Sequence, residues 1–500
     1  MNTYGIVING VSGEKRIYKL QKLIYNASKE GEKNKVKFLQ NKIINSLDAK
    51  LLAIKTVTSN NKSKDTQYID SKLYLTIDQN CKLLKHVNLD GKATPVKKVC
   101  IPQANKNKKR PSCIPTIIDR AKEKLALLAL EPEWEAIVEP SSYGFMPGRS
   151  AYDAIEQIFR CLRYSGQPPK YILNANLKSC FNNIDHDHLL SKINSTKQIN
   201  SQIIAWLKDG IIKDEVLPNE LFDTIEKNEI ETLQGRMISP LVANIALHGI
   251  EEFLKEWIIN QNWKIKKKNE SYKINEIKSL CVIRYAGSFV VIHKDKQIIE
   301  KAKEALSEWF RNTSKLELND SKTKILNSTQ GIEFLGFSII NIFKSKNIYK
   351  TKIYPSKNNQ QKLIKVIGDK CRQYRSISSF ELIEILRPVI MDWGNYYKYC
   401  ECKPIFSVLD MKIFHILRSW VFRRDRRNCR SIIKEKYFPS NNLYIFNGKE
   451  YRNNWILFGK KKSINDIIKE NFLPKLSWIS SEKFVSIKIN YSVYDNDNIY

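Results

Sequence analysis

No stretch of the 500-residue sequence approaches the roughly 18–20 uninterrupted apolar residues that a membrane-spanning helix needs. The first twenty residues lack the apolar core of a secretory signal and the acid-poor, arginine-rich character of a transit peptide, so the protein is expected to be made where it works. Histidine is scarce, and the ten cysteines are scattered. The closest pair, Cys400 and Cys402, is too tight for tetrahedral zinc and has no matching pair downstream. Free thiols in a reducing compartment, without a structural metal, are the expectation. Acidic side chains are in deficit too: 52 Asp and Glu face 84 Lys and Arg, a formal charge of +32. Such a surplus suits a polyanionic partner, nucleic acid ahead of a membrane surface, but it names no reaction.

What is present is enough to fold. Hydrophobic residues make up 42% of the chain, with Trp 9, Tyr 23 and Phe 20, which excludes a disordered composition. Five hundred residues leave room for several packed units. Lysine, asparagine and isoleucine stand where arginine, glutamine and valine could serve, a bias that suits an A+T-rich genome such as an organelle's.

Apolar residues recur at helical spacing at Ile17, Leu20, Ile24 and Ala27 and again at Val36, Leu39, Ile43 and Leu47, with Gly31 between. A helical hairpin is predicted there. Lysine-rich loops are expected over 59–65 and 105–110, the second ahead of Pro111. Helix returns over 114–134 and breaks at Pro140 and Gly144. Two strand-like runs follow, 171–177 and 279–293, the second interrupted by a small-residue turn at Ala286, Gly287 and Ser288. Between them Pro240 opens a helical stretch over 241–254. That order predicts a mixed sheet flanked by helices. Beyond about residue 355 the pattern is helical and more basic. Ile413, Leu417, Trp420 and Val421 form an apolar stripe, and Arg423, Arg427, Arg430 and Lys434 recur at i, i+4, i+7 and i+11. Charges of one sign on one face repel each other unless an anion docks, so this face is expected to meet RNA or DNA.

Several segments, in order, resemble group II intron reverse transcriptases and maturases across nearly the whole chain. They begin at Arg110-Pro111, Ile114-Pro115-Thr116-Ile117-Ile118-Asp119-Arg120 and Leu130-Glu131-Pro132-Glu133-Trp134. Ser142-Tyr143-Gly144-Phe145 and Pro147-Gly148-Arg149-Ser150 follow, then Phe181 with Asn183-Ile184-Asp185-His186. Gln234-Gly235, Ile238-Ser239-Pro240-Leu241, Lys322-Thr323 and Phe334-Leu335-Gly336-Phe337 extend the series. Leu386-Arg387-Pro388, Trp393-Gly394-Asn395-Tyr396-Tyr397, Trp420 and Lys436-Tyr437-Phe438 are similar to the thumb-like maturase domain X. Lys488 and Tyr494-Asp495 look like the segment preceding a nuclease domain in longer relatives, although no His-Asn-His motif follows.

The resemblance implies an α+β protein: a right-hand reverse-transcriptase fold, with fingers and palm on a mixed sheet, followed by an α-helical thumb or domain X. It divides the chain into an RNA-binding N-terminal helical extension (1–80), fingers and palm (81–345), thumb and domain X (346–440), and a basic C-terminal segment left from a DNA-binding region (441–500). Tyr285, Gln234, Gly235, Lys322, Trp393, Tyr397 and Trp420 are its family-motif positions.

Polymerisation in this family uses two Mg²⁺ ions about 3.5–4 Å apart, held by anionic oxygens. The resemblance places those carboxylates in a first palm strand and in a Tyr-Ala-Asp-Asp turn. Here the positions hold Asn176, Gly287 and Ser288. Asp185 lies nine residues past Asn176, and Asp295 lies seven past Ser288, about 23 Å along an extended strand. Neither is expected to substitute. Met146 stands where the family has arginine, and Leu233 and Arg236 flank Gln234-Gly235 in place of Pro and Gly. No catalytic residue is expected to be intact, and no cofactor is expected, with Mg²⁺ relevant only to residual polymerase activity.

The expected function is therefore a maturase that binds intron RNA in a precursor mRNA and promotes its splicing. An active RNA-directed DNA polymerase and a general basic RNA chaperone are the alternatives. RNA contact is expected from Lys106, Lys108, Lys109, Arg110, Arg120 and Arg149, and from Arg418, Arg423, Arg424, Arg427, Arg430 and Lys434. No membrane or small-molecule substrate is expected, and helper splicing proteins are compatible partners. Motif wording tilts the expected location to a plastid, with a mitochondrion as the alternative.

Overall fold

The computed structural model describes residues 10–59, 82–102, 109–163, 169–178, 180, 183–208, 211–212, 225–226, 235–261, 280–345, 348–425, 427–462, 468–482 and 492–495. The chain forms two compact units. The first comprises 1–154, 171–325 and 487–500; the second comprises 155–170 and 326–486.

In the first unit, helices α1 (Gly10–Lys29), α2 (Lys33–Asn45) and α3 (Leu47–Ser59) precede a hairpin of strands β1 (Val96–Pro102) and β2 (Lys109–Ile114). The apolar repeat of the first two helices is buried as its spacing predicts, from Ile17, Ile24 and Ala27 to Val36, Leu39 and Ile43. Leu20 is only partly buried, and Leu47 is 59% exposed at the start of α3. All three helices pack on α4 (Ile117–Ile137). One continuous core joins Ile17 and Ile43 to Leu125, Leu130 and the palm residue Leu173. The N-terminal hairpin is therefore part of this core and not an appendage. Thr116 caps α4 by accepting from the Asp119 N–H at 3.2 Å, and Pro132 sits inside the helix.

Two glutamates of α4 carry a pH dependence. Burial pushes Glu133 up to about 7, although Gln40 Nε2 donates to its Oε2 at 2.6 Å, and burial pushes Glu135 up to about 7. Unfolded, both titrate near about 4.3. Because the folded values are raised, stability falls as pH climbs from the unfolded value to about 7 and is level above it. Glu133→Gln keeps an acceptor for Gln40 without a charge. Its urea midpoint should rise by the equivalent of about 1–2 kcal/mol at pH 8 and by almost nothing at about pH 3.5, below the unfolded value. An equal gain at both pH values would show that burial of the charge is not the cause.

Helix α5 (Ala151–Leu162) crosses the division between units. The palm follows: β3 (Tyr171–Asn176), α6 (His186–Ile193), α7 (Lys197–Lys208), two short strands β4 (Ile211–Ile212) and β5 (Ile225–Glu226), α8 (Ser239–Ala246), α9 (Ile250–Gln261), β6 (Cys281–Tyr285), β7 (Ser288–His293), α10 (Lys296–Thr313) and β8 (Lys324–Asn327). One sheet runs β2-β1-β4-β5, with β1 and β4 parallel and the other pairs antiparallel; the other runs β6-β7-β3-β8. Ile299, Ala302, Leu306 and Phe310 of α10 are buried at helical spacing, with α10 packed against β3 and β7. Two expectations change here. The stretch 241–254 is two helices, because Gly249 takes φ +103° between them. Residues 109–110 belong to a strand, opposite Pro102 and Ile101, rather than to a loop; 103–108 and 60–81 lie outside the described residues.

The second unit opens on an antiparallel sheet of β9 (Ile332–Phe334), β10 (Phe337–Ser345) and β11 (Ile348–Pro355). Helices α11 (Lys357–Gln373), α12 (Ser379–Tyr397), α13 (Lys403–Arg424) and α14 (Arg430–Tyr437) follow. Two hairpins, β12 (Leu443–Phe446) with β13 (Lys449–Arg452) and β14 (Phe458–Lys462) with β15 (Ile468–Phe472), complete it. Two motifs of this unit, 61 residues apart, meet at one turn. Tyr396 and Tyr397 donate their hydroxyls to the carbonyls of Leu335 and Gly336, at 2.9 and 3.1 Å. Gly336 takes φ +83°, and a Cβ there would fall 2.4 Å from Asn359 Nδ2 and 2.7 Å from the Tyr397 hydroxyl. Gly336→Ala should therefore cost about 2–3 kcal/mol, read by chemical denaturation. A loss below about 0.5 kcal/mol would show that the turn relaxes freely.

Candidate functional site

Strand β3 ends at Asn176 and pairs in register with Ser288, the first residue of β7. Asn176 Nδ2 donates to Ser288 Oγ at 2.8 Å. Tyr285 and Ser288 face each other across the hairpin turn, where Ala286 takes φ +53° and the Gly287 carbonyl accepts from the Leu177 N–H at 2.9 Å. The three positions expected to carry the metal ligands are thus brought together. A neutral amide–hydroxyl pair joins two of them. At the third, an added Cβ would sit 3.3 Å from Cys180 Cβ and 3.7 Å from its sulfur. Burial pushes the Cys180 thiol up to about 12, so it is uncharged at neutral pH.

The acids nearest in sequence are committed elsewhere. Asp185 caps α6, accepting from the His188 N–H at 2.8 Å, and pairs with Lys315; these bonds, Lys315 first, hold its carboxyl below the usual range. Asp295 caps α10 through the Gln297 N–H at 2.8 Å. Among the described residues no group of three His, Cys, Asp or Glu could hold a metal ion. An amide, a hydroxyl and a neutral thiol do not match the anionic oxygen set that Mg²⁺ prefers, so the donors at this turn do not fit a two-metal centre.

Around the turn the packing is tight. Ser142 bridges to Arg284 of β6, and the Tyr143 N–H donates to the Arg284 carbonyl at 2.8 Å. A Cβ on Gly144 would lie 2.4 Å from the Ala286 nitrogen, so only glycine lets the two segments approach this closely. The Arg284 side chain is fully buried and donates to Asn244 Oδ1 at 3.0 Å, while Asn244 Nδ2 donates to the Gly144 carbonyl at 2.7 Å. Met146 is buried beside Asn244. Arg236 forms an ion pair of 2.6 Å with Glu123, both side chains wholly buried. Gly235 precedes it with φ +110°, and Gln234 lies outside the described residues. Arg149 is a correction. It donates to the carbonyls of Glu139 and Ser142 and to Glu135 Oε1 and is only 11% exposed, so it braces the fold and is not available to RNA.

In the second unit, α11 and α13 enclose a groove of about 780 Å³ lined by Lys365, Arg372, Arg375, Trp420, Arg423 and Arg424. Trp420 Nε1 donates to the Tyr374 carbonyl at 2.9 Å, and the Arg424 guanidinium lies 5.3 Å from the Trp420 ring centre. The basic stripe expected to run on from here is broken. Helix α13 ends at Arg424, and Asp425 accepts from Asn428 at 2.7 Å and Lys436 at 2.8 Å, folding the chain back. Arg418 and Arg430 line a neighbouring cavity of about 570 Å³, and Lys434 lies 5.1 Å over the Trp455 ring. Arg427 is exposed between the helices.

The sequence pattern of the N-terminal domain of reverse transcriptase matches residues 8–87, and that of reverse transcriptase (RNA-dependent DNA polymerase) matches 97–339. The group II intron maturase-specific domain matches 360–438. Protein YkfC of Escherichia coli (strain K12) is 30% identical over 262 residues, 49% of this chain and 67% of that protein. The chain belongs to the group II intron reverse transcriptase and maturase family. Group II intron-encoded protein LtrA of Lactococcus lactis subsp. cremoris is 27% identical over 328 residues, 56% of this chain and 53% of that protein, so the chain spans about half its length. Maturase-like protein 1 of Euglena longa is 26% identical over 466 residues, 90% of each chain.

The maturase-specific match runs through α11 to α14 and so contains the whole basic groove. Lys365, Arg372 and Arg375 were not among the residues expected from sequence. Their signal was the basic end of α11, which gained meaning only when α13 was placed beside it. Trp393 packs within this unit, its ring 4.5 Å from that of Tyr397 and tilted by 47°. Of the remaining expected residues, Lys322 is exposed, Arg120 is half-buried near the start of α4, and Lys106 and Lys108 lie outside the described residues. Lys109 and Arg110 lie in β2.

Proposed function

We propose that this protein is a maturase that binds intron RNA and promotes its splicing, and that it does not copy RNA into DNA. The observation that carries the reading is the palm turn, where Asn176 is bonded to Ser288 and Gly287 packs on a neutral Cys180. The scaffold around that turn keeps its buried Arg284, Asn244 and Glu123 contacts. A fold maintained without metal ligands suits binding, and the basic groove of the maturase-specific segment offers a surface for phosphate. Arg418, Arg423, Arg424, Arg427, Arg430 and Lys434, with Lys365, Arg372 and Arg375, form the proposed contact set in that unit. Arg120, Lys109 and Arg110 extend it to the fingers. The composition, rich in lysine, asparagine and isoleucine, supports an organelle-encoded protein, with a plastid ahead of a mitochondrion.

Sequencing RNA that co-purifies with the protein from its native compartment tests the reading directly. Enrichment of one or a few structured introns supports it. Uniform recovery of cellular RNA would favour a general basic chaperone instead.

A further inference from the structure

The β10–β11 hairpin is more apolar at its outer end than the protein needs. In register, Phe337, Ile339 and Asn341 face Pro355, Ile353 and Thr351, and all six are buried. The next pair on that face, Phe343 and Tyr349, continues the pattern beyond the covered region. Phe343 is 60% exposed and meets Tyr349 edge-on, ring centres 5.7 Å apart. Ile342 and Ile348, on the opposite face of the ribbon, are exposed at 43% and 41%. Just inside, Asn341 Oδ1 and Thr351 Oγ1 are buried with no hydrogen-bond partner among the described residues. From 337 to 355 the sequence holds four lysines and no acid.

Single exposed apolar residues are ordinary on a protein surface. Here, however, the exposed end of the ribbon carries an aromatic pair on one face and lysines on the other: Lys344 follows Phe343, and Lys350 follows Tyr349 and pairs across the strands with Ile342, while Lys350 also lines a cavity with Glu156 and Glu401. Aromatic faces interleaved with lysine are the chemistry that holds unpaired nucleotides, the ring stacking on a base while the ammonium groups meet phosphate. We propose that the outer end of this hairpin is a stacking platform for an unpaired base of RNA, with Phe343 the stacking residue and Lys344 and Lys350 its phosphate contacts. The inference rests on the RNA-binding reading above and adds a preference for single-stranded over paired segments. A second protein is the less favoured occupant, because the hairpin from 337 to 355 itself carries four lysines and no acid, which suits a polyanion.

The test uses the full chain with two probes at fixed salt, an unstructured oligouridylate and a fully paired RNA duplex of equal phosphate number. Phe343→Ala should weaken oligouridylate binding about tenfold and duplex binding less than about twofold. Phe343→Trp should retain affinity, and its added indole fluorescence should be quenched by the oligouridylate. Because Phe343 is exposed, both variants should fold, which circular dichroism checks. Equal losses for the two probes would overturn the inference, as would a wild-type dimer that F343A dissociates in sedimentation. Unchanged affinity of F343A for both probes would overturn this inference alone. A wild-type chain that binds neither probe would overturn the RNA-binding reading and this inference with it.

Discussion

Purified protein should extend no primer annealed to an RNA template, in Mg²⁺ or in Mn²⁺, at the sensitivity of a gel assay. The physical reason is charge. Two dications about 3.5–4 Å apart and an incoming triphosphate require fixed anionic oxygen, and the turn offers the Asn176 amide, the Ser288 hydroxyl and the thiol of Cys180. Single restoration by Asn176→Asp should leave the protein inactive, since one carboxylate cannot hold two ions. Restoring all three positions meets a second obstacle. A side chain at position 287 begins 3.3 Å from Cys180 Cβ, so the triple variant should need Cys180→Ala or a local shift before metal can enter. Mg²⁺-dependent cDNA synthesis by the wild-type chain that vanished in Asn176→Ala would refute the maturase-only reading.

The convergence of those three positions was legible in the sequence through the family resemblance, which implies a first palm strand and a hairpin turn that meet. Local signals marked 171–177 as a strand-like run and Ala286-Gly287-Ser288 as a turn, and the structure supplies the pairing that sets Asn176 against Ser288. The N-terminal hairpin was legible for a related reason, a helical repeat around Gly31. Contacts distant in sequence were not. Arg236 looked like a departure from the family pattern, and nothing local showed that Glu123, 113 residues away, takes its charge. Arg149 read as an exposed cation because its acceptors, the carbonyls of Glu139 and Ser142, are backbone groups that carry no sequence signal. The single stripe expected from Arg423 to Lys434 failed for want of one detail, the stop at Asp425. That residue breaks the helical period that the spacing assumed.

The break at Asp425 changes which substitutions should alter RNA binding. Cations on one groove can engage one run of phosphates together, whereas those separated by a chain reversal act on different segments. Lys365, Arg372 and Arg423 share the groove between α11 and α13. Each phosphate neutralised releases counterions, so the slope of log affinity against log salt should fall by about 0.7–0.9 for each cation–phosphate pair removed. Replacing these three by glutamine should therefore reduce the slope by about 2–3 and weaken binding to structured RNA by roughly two orders of magnitude near 0.1 M salt. Arg424 is left in place because it packs on Trp420 and donates to the Arg375 carbonyl at 3.2 Å, so its replacement would confuse packing with charge. Replacing Arg427 and Arg430 alone should lower the slope by no more than about 2, since they lie beyond the reversal. The measurement is filter binding of a structured intron RNA from about 50 to 300 mM KCl, on variants whose folding is checked by thermal melting. An unchanged slope in the folded triple variant would mean that the groove is only solvated surface, and the RNA-binding face would have to be sought on another part of the protein.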